Sequence, residues 1–300
     1  PKVRVRDNLQ LQANQFQIRI NQLPVCQGSL ELGRILLVKK TPAAADAGGL
    51  PGTWHSGHGA FWVEEDSVAM RAREYLRLSP ADVVVETLKH QSRQRAAEIM
   101  TRQSTAWLIE QVRESNPATV DELIPEVMRI GQVQQVLQRL LSEGVSIRPL
   151  NTILEALADF GSTTPDPVLL TDAVRARLAP WITASLQSDD GKVKVVDLEP
   201  ELVAWLEARV VGRDDGRFLQ LESAERERLR NVLLKAIATE RAHGDAVALR
   251  ANGKLRAALF SALGPEISRV SFVAPAEISR DAKIETIAIL QLADVLYVAA

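Results

Sequence analysis

Between Gly131 and Gly144 the apolar residues Val133, Val136, Leu137, Leu140 and Leu141 fall at the i, i+3, i+4, i+7, i+8 spacing that turns one side of an α-helix toward a core. Gln134, Gln135, Gln138 and Arg139 occupy the other side and should face water. Val145-Ser146-Ile147 reads as a short extended piece, since the residue before Pro149 is biased away from helix. A second helix follows with Leu150, Ile153, Leu154 and Leu157 inward. The whole run from Ile124 to Asp159 is thus two amphipathic helices around a short link. Nothing in it demands chemistry, and a helical hairpin accounts for it.

Three hundred residues suggest two or three domains at roughly 100–200 residues each, and an apolar content of 46% can fill their cores. A formal charge of −2 provides no global basic field, which argues against nucleic acid or an anionic membrane as principal partner. The single cysteine, Cys26, has no internal disulfide partner, as expected in the cytosol. No run approaches the roughly 20 apolar residues of a membrane helix, and no signal peptide opens the chain. The chain begins at Pro1 without a methionine, inside the strand-like VRVRDN, and so reads as part of something longer.

Along the chain, Gln15–Ile20 and Arg34–Val38 read as strands, Thr41–Gly59 as loop and Phe61–Val63 as a short strand. Glu64–Arg73 can form a helical turn or two before a strand at Tyr75–Leu78. Ser79-Pro80-Ala81-Asp82 predicts a capped start for a helix running to about Met100. Another helix spans about Ser104–Glu114 and stops near Asn116-Pro117. Helix is expected over Pro165–Leu186, a turn at Asp189-Asp190-Gly191, a strand at Val193–Val196 and helix over Glu199–Ala208. The polar run Val211–Gly216 reads as a boundary. Beyond it the order is helix (Ser223–Arg241), strand (Ala246–Leu249), helix (Gly253–Leu263) and two strands (Val270–Val273 and Ile284–Leu290), a small α/β layer fold.

Residues that could carry chemistry do not assemble into a site. His55 and His58 flank Gly57 in a loop composition, with no obvious third ligand and no cysteine pair for zinc. The glycines near them lack the spacing and the lysine of a phosphate loop. Cys26 has no nucleophile motif around it and reads as a small half-buried residue beside a turn. Glu64-Glu65 and Asp214-Asp215 are sequence neighbours rather than carboxylates facing across a cleft. The alternating charges of Glu225–Arg230 read as a helix surface laced with ion pairs. Trp107, Trp181 and Trp205 lie among apolar residues at helical spacing and are expected to pack in cores, although one could line a partner groove.

The run Ile124–Asp159, with VSIRPLNTILEAL as its most specific part, resembles the export-gate proteins of type III secretion systems, the family of flagellar FlhA and the virulence homologues InvA, MxiA and SctV. Val3–Leu9 (VRVRDNL), Ile18–Gly28 (IRINQLPVCQG), Gly49–Gly52 and Phe61–Val63 carry the likeness into the first third of the chain. It extends to about Val210, beyond which only the order of helices and strands agrees. The family commonly has Asp where this chain has Pro149.

The resemblance implies an α+β fold of four small subdomains, with α/β layers at both ends and a mainly helical third subdomain. Their expected ranges are 1–88 with 140–158, an insertion at 89–139, then 159–211 and 212–300. It also implies a cytoplasmic segment of a bacterial inner-membrane protein, with the virulence branch favoured over the flagellar one. Such a segment assembles into a ring, typically of nine, and receives chaperone–substrate complexes, a gatekeeper protein and the stalk protein of the export ATPase. Carried over by alignment, the chaperone-docking region contains Leu108, Glu110, Arg113 and Val136. No catalytic residue, metal or cofactor is implied. The alternatives are an unrelated soluble multi-domain scaffold and, least favoured, an enzyme with an unfamiliar site.

Overall fold

Strand β3 (Arg34–Lys39) explains why its sequence is a continuous apolar run rather than an alternation: both of its faces are covered. Leu36 and Val38 join Ala60, Trp62, Leu78 and Val83 on one side, while Leu37 meets Val63 and Tyr75 on the other. The computed structural model describes residues 3–39, 49–52, 54, 59–65, 75–164, 166–213, 216–267 and 270–296. Two compact units divide the chain, residues 1–99 and 100–300.

In the first unit β1 (Gln15–Ile20) and β2 (Leu23–Ser29) form an antiparallel ribbon. A second antiparallel sheet has the order β4-β5-β3-β6, from β4 (Leu50–Gly52), β5 (Ala60–Glu64), β3 and β6 (Tyr75–Leu78). Helix α1 (Pro80–Gln94) starts where the sequence predicts: Asp82 N donates to Ser79 Oγ at 3.2 Å and Ser79 N donates to Asp82 Oδ2 at 3.0 Å. The Ser79 hydroxyl, donating to Asp82 Oδ2 at 2.7 Å, and the Ser79 N–H beside it hold the Asp82 carboxyl below its ordinary range. A break at Arg95 separates α1 from the single turn α2 (Ala96–Ile99).

Two local expectations change here. Val3–Asn8 forms no strand, and Val3 and Val5 are exposed, because an alternating pattern becomes a strand only where an edge pairs with it. The stretch read as loop supplies β4, which pairs with β5. Residues 40–48, 53, 55–58 and 66–74, including His55, His58 and most of the helical turn expected after Glu64, lie outside the described residues.

The second unit begins with α3 (Arg102–Ser115) and α4 (Pro117–Glu122), a kinked turn (Leu123–Val127) in which Ile124 is extended at φ −125° and ψ 125°, α5 (Ile130–Ser142) and α6 (Leu150–Gly161). Val133, Val136, Leu137 and Leu140 of α5 are fully buried with Ile153, Leu154 and Leu157 of α6, as the periodicity predicts. Gln135 faces water, but Gln134 and Gln138 do not do so freely: both Nε2 atoms donate to the Met100 carbonyl at 2.9 Å. At the end of α5, Gly144 takes φ +75°, Val145 N donates to Leu140 O at 2.8 Å and Gly144 N donates to Leu141 O at 3.1 Å. This paired stop needs the left-handed residue that glycine supplies. The link from Val145 to Pro149 is irregular.

The expected long helix from Pro165 is two helices, α7 (Pro167–Arg177) and α8 (Ala179–Leu186), with Pro180 beginning the second. Then come β7 (Lys192–Leu198), α9 (Pro200–Glu207), β8 (Val210–Arg213), β9 (Gly216–Leu219), α10 (Ser223–Ala236), α11 (Ala238–His243), β10 (Val247–Arg250) and α12 (Gly253–Leu263). The last elements are β11 (Val270–Val273), a 3-10 turn (Pro275–Glu277), β12 (Lys283–Leu290) and α13 (Leu292–Leu296). β11, β10, β7 and β12 form a parallel sheet in that order.

The period of two along β7 splits its buried valines between the faces of this sheet. Val193 and Val195 face the core of α5–α8, and Val196 faces that of α9, α10 and α12. The sheet is therefore sandwiched between helical layers. It draws strands from both sides of residue 211, and the run read there as a boundary contributes to the β8–β9 hairpin. Residues 140–158 share their core with α3, α4, α7 and α8. The mixed helix and strand composition agrees with the α+β expectation.

Candidate partner-docking surface

Helix α3 carries three of the four residues expected to dock a partner. Thr101 caps it, its Oγ1 accepting from Ser104 N at 3.1 Å, and Pro117 ends it by starting α4. Thr105, Ile109 and Val112 form its inner stripe, at 0%, 3% and 7% exposure. On the opposite stripe Gln103, Trp107, Glu110 and Glu114 face water, and Trp107 is 60% exposed.

The expected residues fall into three environments. Glu110 is exposed, and half-buried Arg113 joins it at 3.7 Å and reaches Asp121 of α4 at 3.5 Å. Leu108 is half-buried and packs along the edge of the core. Val136 is corrected: on α5 it is 0% exposed, inside that core, so no partner can touch it in this conformation. Its place in the a/d-like stripe of α5 explains its burial.

Trp107 is the residue that sequence reasoning misplaced. Its apolar neighbours suggested a core, yet it falls in step with Gln103, Glu110 and Glu114 rather than with Thr105, Ile109 and Val112. A helical wheel of α3 carries that signal. Trp181 on α8 is also exposed, at 45%, and the half-buried Trp205 stacks under the Arg209 guanidinium at 3.9 Å. Among the three tryptophans expected in cores, two therefore present their rings to water.

Chemically, the outer stripe of α3 offers an indole beside two carboxylates. It suits contact with an apolar side chain flanked by cations, and it has no nucleophile and base in mutual reach. Among the described residues no group of three or more His, Cys, Asp or Glu is placed to hold a metal ion, and no helix is long and apolar enough to cross a membrane.

Residues 1–283 match the profile of the FHIPEP family. The chain is 36% identical over 226 residues to the flagellar biosynthesis protein FlhA of Bacillus subtilis, covering 74% of this chain and 33% of that protein. With the FlhA of Treponema pallidum it shares 28% identity over 300 residues, covering 97% of this chain and 42% of the relative. It thus spans about a third to two fifths of the length of these curated relatives.

Among solved structures, the CdsV protein of Chlamydia pneumoniae superposes with a TM-score of 0.77 at 21% identity, over 95% of this chain and 83% of that one. CdsV in its complex with CdsO gives 0.77 at 22%, over 94% and 82%. The nonameric SctV-C of EPEC gives 0.76 at 16%, over 92% and 84%. At such identities these likenesses establish the fold alone, which the chain shares with CdsV and SctV-C. The two relatives named here are flagellar proteins, whereas the solved neighbours are CdsV and SctV-C. With the family profile spanning 1–283, the chain belongs to the FHIPEP family.

Proposed function

We propose that this chain is the cytosolic domain of a protein-export gate, a docking platform rather than an enzyme, held at the bacterial inner membrane by the rest of its protein. The observation that carries the reading is the family match over residues 1–283, joined to a fold shared with the solved C-terminal domains of secretion proteins. Two of those solved structures support its parts. A nonameric relative supports a ring of nine, and a complex of CdsV with CdsO supports a bound partner, to which we assign the role of ATPase stalk. Chaperone–substrate complexes and a gatekeeper protein complete the proposed partners.

In this reading the outer stripe of α3, with Trp107 and Glu110, and Arg113 beside it, contacts cargo carriers. Each contact is modest and exchangeable, and ring symmetry multiplies it by presenting equivalent sites at high effective concentration. The named relatives in sequence, at 36% and 28% identity, are flagellar proteins, which supports a flagellar system. The genes beside this one decide the branch: flagellar rod and hook genes support the first, needle and effector genes the second.

Assembly tests the reading directly. Mass photometry of the detergent-solubilised full-length protein should reveal a closed species of nine chains. A protein that stays monomeric or grows without closing would overturn the ring.

A further inference from the structure

The carboxylates of α3 stand toward the end of the helix that its own dipole least favours. A helix carries positive potential at its start and negative potential at its end, so acids stabilise the first turn and cations the last. α3 has no acid in its first turn, whereas Glu114 lies in its last, beside Arg113. That arginine is already shared, between Glu110 at 3.7 Å and Asp121 of α4 at 3.5 Å. Glu114 accepts from the Gln111 amide at 3.4 Å, and no ion pair reaches it among the described residues.

The same sign continues beyond α3. From Gln103 to Met128 the chain carries five carboxylates, Glu110, Glu114, Asp121, Glu122 and Glu126, and one cation, Arg113. All five carboxylates are exposed. The arginines that bound this run belong to the start of α5: the Arg102 guanidinium lies over Gly131, and Arg129 stands at the N-cap.

Trp107 shares the outer stripe of α3 with Glu110 and Glu114 and is 60% exposed. At about 1.5 Å of rise per residue, Glu110 lies about 4.5 Å and Glu114 about 10.5 Å along the axis from it, both toward α4. The two exposed indoles therefore differ in their surroundings. α8, which carries Trp181, has no ionisable residue from Ala179 to Leu186. Trp181 offers a partner no preference of sign, while Trp107 is an apolar anchor with negative charge beside it.

A local rule broken without compensation inside the fold is expected at functional sites, where the gain comes from something bound. Resting on the platform reading above, we propose that α3 receives a basic amphipathic segment of the cargo carrier: an apolar side chain covers Trp107, and lysine or arginine side chains beside it reach Glu110 and Glu114. Those cations supply what the end of α3 lacks, to its carboxylates and to its dipole together. An acidic segment would set like charges against each other, and an uncharged one would cover the carboxylates without pairing them.

Binding of the chaperone–cargo complex encoded beside this gene to the intact chain, followed at about 50 and about 500 mM salt, tests the assignment, because exposed charges are strongly screened at the higher value. The variants are Trp107→Ala and the double variant Glu110→Gln with Glu114→Gln. Wild-type affinity should fall by at least about tenfold between the two salts, and the double variant should lose about tenfold at low salt but less than about twofold at high salt, chiefly in association rate. Its melting temperature should stay the same or rise, since an acid has left the end of the helix.

If Trp107→Ala weakens binding while neutralisation and salt leave it unchanged, α3 still docks a carrier but not through a basic segment, and the proposal falls alone. If neither variant alters binding, the docking surface leaves α3 and the proposal falls with it. Neutralisation that opens an assembled ring without touching carrier affinity would assign the acidic end of α3 to a second copy, which also overturns the proposal. No binding to the wild-type chain would overturn the platform reading itself.

Discussion

Helices α3 and α5 pack in the same unit, are nearly equal in length at 14 and 13 residues, and use their sequences in opposite ways. α5 drives four apolar residues to complete burial, and two of its glutamines, Gln134 and Gln138, turn back to the Met100 carbonyl. α3 buries a narrower stripe, leans on a threonine cap, and leaves a tryptophan in water. The contrast separates the residues that hold the unit together from those free to meet something else. An exposed indole adds little to folding, so Trp107 is accessible to a partner, whereas Val136 is not.

The largest effect expected is on α5. Leu137→Ala removes a fully buried side chain and should cost about 2–5 kcal/mol in a urea titration of the domain. A loss well under 1 kcal/mol would mean that α5 is not the core this comparison makes it. On α3, Thr101→Ala deletes the side-chain cap and should cost about 1 kcal/mol in the same titration, with fraying visible as faster exchange at Ser104 N.

Gln134→Ala leaves the Met100 carbonyl with one donor in place of two and should cost about 0.5–1.5 kcal/mol. A neutral result would restore the picture of α5 with an idle polar side. Smallest of all, Trp107→Ala should change stability by no more than about 0.5 kcal/mol, because the ring is mostly in water already. A large loss there would erase the distinction between the two helices.

How much of this was legible depended on the range of the interactions involved. Local rules located α5, α6 and the capped start of α1, because the helical stripe and the Ser79–Asp82 pairing are written within a few residues. They failed at Val3–Asn8, where the alternating pattern lacks a partner strand, and they did not reveal that Val211, Gly212 and Arg213 lie in strand β8 and pair with β9. α13 went unseen, since five residues carry almost no periodicity. The parallel order of the last sheet was equally hidden, because β7 meets β10 and β12 across long stretches of chain.

Of the expected docking residues, three fall on α3, while Val136 lies in the same buried stripe that made α5 easy to find. The buried charge network of Arg175, Arg256, Glu143 and Glu277 was the least accessible feature. Arg175 and Glu277 are 102 residues apart, and Arg256 and Glu143 are 113 apart, so no local pattern announces them.

Calorimetric titration with a chaperone–cargo complex encoded beside this gene tests the central claim most directly, comparing the wild-type domain with Trp107→Ala. The account predicts a loss of affinity of at least about tenfold with an unchanged melting temperature, since a buried interface tryptophan commonly contributes that much. Equal affinity in the folded variant would contradict it and move the docking surface off α3.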